Sequence, residues 1–130
     1  MPRYVDGFVI PIKKSNLAAY KKLAAAACEV WLDHGALEYR ECVGEDMEAK
    51  CGLPFPKAVK SRPPETIVFA WIVYKSRKDR DRVNAKVMKD PRMNAMAPAG
   101  TKMPFDLNRL ITGGFSVIVD SADYKKPKRK

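Results

Sequence analysis

The chain has 130 residues, 46% of them apolar and 31% charged, a balance that supports one solvated domain with a real core and excludes a wholly disordered chain. No apolar run reaches the ~18 residues that a transmembrane helix needs, and residues 1–6 contain no apolar stretch of the signal-peptide kind. The net charge is +10, but five of the 25 bases and one of the 15 acids fall in residues 121–130, leaving +6 over the rest.

That distribution predicts a single domain over residues 1–120 and a basic, solubilising, disordered tail over 121–130. Cys28, Cys42 and Cys51 are odd in number and lack Cys-x-x-Cys spacing. They predict neither a disulfide framework nor a zinc site, and a reduced, cytoplasmic setting suits them. Cys28 falls on a predicted helix and reads as a small core hydrophobe.

Residues 4–12, rich in β-branched and aromatic side chains, predict the first strand. Ser15 or Asn16 can cap the helix that follows. Leu17, Tyr20, Ala24, Ala27, Cys28 and Trp31 make its apolar stripe, and Gly35 ends it. Residues 37–44 alternate as a half-exposed strand, with Leu37, Tyr39, Glu41 and Val43 on one side. Residues 45–64 show no period and read as a long loop, either a flap or an irregular strand. Residues 66–74 predict a strand apolar on both faces: Ile67, Phe69, Trp71 and Val73 on one, Val68, Ala70, Ile72 and Tyr74 on the other. Ser76 with Asp79 begins a second helix over 76–89, Asp90-Pro91 stops it, and 92–97 add a helical turn. Residues 109–119 predict the last strand, with Gly113-Gly114 marking a bulge or a close backbone approach.

The order β-α-β-β-α-β predicts an α+β, ferredoxin-like fold: a four-stranded antiparallel sheet with both helices on one face. The other face is apolar and bare, so a second copy of the chain is expected to cover it as a homodimer.

The phrases Tyr4-Val-Asp-Gly-Phe-Val, Val68-Phe-Ala-Trp71, Met88-Lys-Asp-Pro-Arg-Met93, Met103-Pro-Phe-Asp106 and Gly113-Gly-Phe115 resemble a bacterial family of small proteins, the domain of unknown function 1428. The resemblance runs over residues 4–119. It implies membership of the dimeric α/β-barrel superfamily, and it implies no settled activity. The superfamily's haem-degrading members use a histidine on the second long helix; this chain has none there, so a haem reading is disfavoured. No cofactor is expected.

Asp6 is the foremost acid–base candidate, because a carboxylate among Tyr4, Phe8 and Ile10 is costly unless paired. Unpaired, it would be a raised-pKa general base; Arg40, Arg109 or a loop lysine are its expected partners in a structural ion pair. His34, the only histidine, sits at a helix end as either a cap or a weaker catalytic candidate. Phe8, Arg40, Trp71, Met93, Met96, Asp106 and Arg109 are candidates for a ligand site. Of these, Asp106 and Arg109, with Arg92, would fix the last connection or line a mouth for an anionic ligand. Met88, Met93, Met96 and Met103 would fill the core or line an apolar pocket beside Trp71.

The functional expectation is therefore a small, partly apolar molecule bound between helices and sheet, with cofactor-independent catalysis as an extension. The alternative is a non-catalytic interaction or nucleic-acid module using the basic second helix and the tail. Nucleic acid is the weaker reading. The third strand lacks the basic-Gly-aromatic phrase of RNA-recognition modules, and Asp79 and Asp81 interrupt the basic helix.

Overall fold

Four strands form one antiparallel sheet in the computed structural model, which describes residues 1–98, 100–125 and 127. The strands are β1 (Tyr4–Lys13), β2 (Glu38–Val43), β3 (Glu65–Tyr74) and β4 (Ile111–Ser116). They lie in the order β2-β3-β1-β4. The helices are α1 (Leu17–Asp33), a short α2 (Phe55–Ala58), α3 (Arg77–Lys89) and α4 (Pro91–Met96). This is the ferredoxin-like α+β architecture that the element order predicts.

Register assigns the faces. Asp6 pairs with Ile72, Phe8 with Ala70 and Ile10 with Val68 on the central strands, while Tyr39 pairs with Ile72 and Glu41 with Ala70 on β2. Ile10, Ile12, Val68 and Ala70 bury against Tyr20 and Ala24 of α1. Ile72 and Tyr74 bury against Val30 of α1 and Val83 and Val87 of α3. The even-numbered β1 and β3 positions therefore face the helices. Ile67, Phe69, Trp71 and Val73 face the other way, together with Val9, Ile111 and Phe115.

The helix ends follow their sequences. Ser76 Oγ accepts from the Asp79 backbone N–H at 3.1 Å and starts α3. Asp90 caps α4 through the Arg92 N–H at 2.9 Å. Gly35, at φ 115°, turns the chain out of α1. Asn16 precedes α1 but its side chain does not cap it; its amide donates instead to the Pro104 carbonyl at 3.0 Å, tying the last connection to the start of the helix.

Several expectations are corrected. The 45–64 segment contains neither a strand nor a free flap; it carries α2, whose Phe55 ring lies edge-on to Phe69 at 6.0 Å on the open sheet face. Strand β4 is shorter than expected and pairs with β1 without a bulge. Gly114 lies under Tyr4, where a Cβ would stand 2.7 Å from the Tyr4 ring carbon Cε2; this is the close approach. Cys28 is only half-buried and Met88 is exposed, so neither belongs to the core. The tail residues Lys126 and 128–130 lie outside the described residues.

Candidate functional site: a cavity between helices and sheet

Between the helices and the sheet lies a cavity of about 670 Å³, lined in part by the small residues Ala24, Ala27 and Ala70, whose side chains leave the space unfilled. Its floor is the helix-facing side of β1, β3 and β2. Its walls are α1, α3 and α4, with Met103 and Phe105 of the last connection closing one side. Phe105 packs edge-on against Tyr20 at 5.6 Å.

Two polar stations interrupt this apolar lining. At the first, Glu41 of β2 accepts hydrogen bonds from two phenols: Tyr20 of α1 to Oε1 at 2.7 Å and Tyr39 to Oε2 at 2.8 Å. Burial, with Glu41 beside them, pushes both phenols well above the usual tyrosine range. A second cavity of about 540 Å³, lined by Leu17, Cys28, Val43 and Val68, meets the first at this station. Burial and the Glu41 charge push the Cys28 thiol up, which makes it a poor nucleophile.

At the second station, Asp6 accepts from Arg80 of α3 at 2.9 Å. Arg80 also binds Asp81 at 2.8 Å and lies 4.8 Å from the centre of the Tyr4 ring. Nearby, Asn84 Oδ1 accepts from the Trp31 indole at 3.1 Å and the Tyr74 phenol at 3.3 Å. The strand spacing separates Asp6 from the Tyr39 row by two strands, or about 10 Å.

The sequence candidates divide between cavity and scaffold. Asp6, Phe8, Met93 and Met96 line the cavity, as do Arg40 and Trp71 by position, although the side chains of these last two point to the other sheet face. Asp6 is neither unpaired nor held by Arg40, Arg109 or a loop lysine; its partner is Arg80. The Trp71 ring stands on the opposite face, tilted against Phe69 at 5.4 Å and bonded to Glu38. Arg40 shares that face and pairs with Glu38. His34 binds Asp90 at 2.8 Å outside the cavity. Arg92 and Arg109 do not meet at a mouth: Arg92 joins Asp90 to Asp33, whereas Arg109 clasps Glu65 and the Lys60 carbonyl. Asp106 caps the turn at Leu107–Arg109.

The sequence reading missed Tyr20, Tyr39, Glu41, Arg80 and Asn84 as site residues. Glu41 carried a usable signal. It alternates on the apolar side of β2 between Tyr39 and Val43, the same anomaly that singled out Asp6.

The resembling phrases converge on this cavity, through Met93, Met103, Phe105, Gly113 and Gly114. A profile described as "Protein of unknown function (DUF1428)" matches residues 3–107. The chain belongs to the DUF1428 family. It is 42% identical over 118 residues to "Uncharacterized protein YbaA" of Escherichia coli strain K12, covering 91% of this chain and 98% of the relative. The Shigella flexneri protein of that name matches equally. Among solved structures, a dimeric ferredoxin-like protein from an uncultured marine organism superposes with a TM-score of 0.57 at 11% identity, covering 92% of this chain and 99% of the other. A nipsnap family protein with unknown function from Agrobacterium tumefaciens superposes at 0.54 and 13% identity, covering 89% and 88%. These two likenesses establish the fold of this DUF1428 member. No helix among the described residues is long and apolar enough to cross a membrane.

Proposed function

We propose that this DUF1428 protein binds a small, largely apolar molecule in the cavity between its helices and sheet. The observation that carries the reading is a largely apolar space of about 670 Å³ with its polar groups concentrated at two stations. That is the size and lining by which proteins orient small ligands. A reaction there would draw its acid–base group from Asp6 or Glu41, the carboxylates that line it; His34 is out of reach on Asp90. Asp6 enters such chemistry already compensated by Arg80.

A homodimer in a reduced, cytoplasmic setting completes the reading. The open sheet face exposes Phe69 and Phe115, and a second sheet facing it would cover them. The marine structural neighbour is a dimer, which supports the same arrangement, and the three thiols are free. The nucleic-acid alternative keeps only part of the basic helix: Arg80 turns inward to Asp6 and Arg82 clasps Asp79, while Arg77, Lys78, Lys86 and Lys89 are exposed.

The test is to fill the space. Ala27→Phe places a ring in the cavity from α1. Wild-type protein should take up the apolar dye Nile red, and the variant should lose that uptake at least tenfold while unfolding cooperatively. Equal uptake by both proteins would remove the cavity as the binding site.

A further inference from the structure

We infer that the ligand of this cavity is a lipophilic amine whose ammonium group docks on Glu41 between Tyr20 and Tyr39. The inference rests on the cavity reading and adds the charge and hydrogen-bonding class of the ligand.

A phenol has one hydrogen to donate, and both Tyr20 and Tyr39 commit theirs to Glu41. What remains at this station is the lone pairs of two phenolic oxygens and those left on the carboxylate. The station therefore presents acceptors alone. A ligand carboxylate or phosphate would meet no donor here and a negative charge, whereas an ammonium brings three N–H donors and the opposite charge.

Charge points the same way. Among the described residues, Glu41 lies in no salt bridge, in contrast to Asp6, which has Arg80. Lys21 lines the second cavity but is exposed, so its ammonium is solvated. The lining also includes Arg40, whose guanidinium pairs with Glu38; with Asp6 and Arg80 paired as well, Glu41 is the lining charge that has no salt-bridge partner among the described residues. The surrounding rings are of the kind that attract organic cations: Trp31 lies 6.3 Å from Tyr39, and Phe105 packs on Tyr20. The apolar walls then accept the carbon skeleton of the amine. Glu41 is reached from both cavities, so a substituent on either side of the nitrogen has room.

The experiment uses the full chain and three matched probes, 2-phenylethylamine, 2-phenylethanol and 3-phenylpropanoate, titrated by calorimetry or NMR beside Nile red uptake. The amine should bind at least tenfold more tightly than the alcohol, and the carboxylate more weakly than either. Glu41→Gln should cut amine affinity at least tenfold and leave the alcohol within about twofold. Tyr39→Phe removes one phenolic acceptor and keeps the ring and the carboxylate, so it should weaken the amine severalfold and leave the alcohol within about twofold; this selective loss provides the reading if Glu41→Gln does not fold, and equal effects on both probes overturn the assignment. Carboxylate binding equal to or tighter than amine binding, or an amine-to-alcohol ratio unchanged in Glu41→Gln, overturns the assignment. If the dye and the alcohol bind with no preference for the amine, the charge assignment alone fails. If no probe and no dye enters, the cavity reading fails with it.

Discussion

Arg80, on the helix layer, reaches Asp6 on a central strand of the sheet with a 2.9 Å hydrogen bond. The two ends of this pair are not equivalent. Arg80 keeps Asp81 and the Tyr4 ring if Asp6 is neutralised, whereas Asp6 has no second cation among the described residues. Removing Arg80 strands a buried carboxylate, the costlier half of breaking such a pair. Arg80→Met should therefore destabilise the protein by about 3 kcal/mol and Asp6→Asn by about 1 kcal/mol in urea unfolding. An Asp6→Asn variant as unstable as Arg80→Met would show that the asymmetry is absent.

Tyr4 lies across Gly114, so the absence of a side chain there is a packing requirement. Gly114→Ala should cost about 1–3 kcal/mol through the contact with the Tyr4 ring. In a Tyr4→Ala background the same substitution should be nearly neutral, giving a coupling energy of similar size in a double-mutant cycle. Additive losses would assign the glycine to backbone conformation instead.

The strand patterns made the fold readable, and they made the sidedness of β3 readable residue by residue. They did not name the faces. Period-2 alternation separates Trp71 from Ile72, but only α1 and α3 landing over Ile72 and Tyr74 makes that side the cavity. Trp71 lines the methionine-walled cavity by position, yet its ring lies on the open sheet face against Phe69. Partners were less legible still. Arg80 is 74 residues from Asp6, and nothing local distinguishes it from Arg77 or Arg82 on a basic helix. The Glu41 anomaly could be seen in β2, yet its meaning needed Tyr20, which a crossover helix delivers from 21 residues away.

Tyr20, Tyr39 and Tyr74 are each pushed above the usual tyrosine range, chiefly by burial. None of the three should ionise through pH ~10, where free phenols titrate. Their phenolate absorbance should appear only together with alkaline loss of the folded circular-dichroism signal. Tyr39→Phe should accordingly leave the absorbance step near pH ~10 unchanged, and a smaller step in that variant would contradict the burial argument.

Glu65 is held below the usual carboxylate range by the Arg109 guanidinium and, in lesser part, by the Arg62 backbone N–H. A depressed folded-state pKa stabilises the protein above the unfolded value of about 4.3 and loses that effect as pH falls through the folded value. The stability gap between wild type and Glu65→Gln should thus be full at neutral pH and shrink in acid below pH ~4. A gap that grows on acidification would reverse the sign and refute the assignment.

Phe69 and Leu32 are nearly equally exposed, at 44% and 45%, but lie on opposite sides of the molecule. Phe69 stands on the bare sheet face beside Trp71 and Phe55, while Leu32 lies on α1. If exposure alone governed association, glutamate at either site would act alike. If the sheet face pairs with a second copy, only Phe69→Glu buries a charge in the interface, without a partner to compensate it. Light scattering at micromolar concentration should return twice the 14.6 kDa chain mass for wild type and Leu32→Glu, and the single chain mass for Phe69→Glu. A monomeric wild type, or a dimer that tolerates Phe69→Glu, would leave the apolar sheet face without the partner assigned to it.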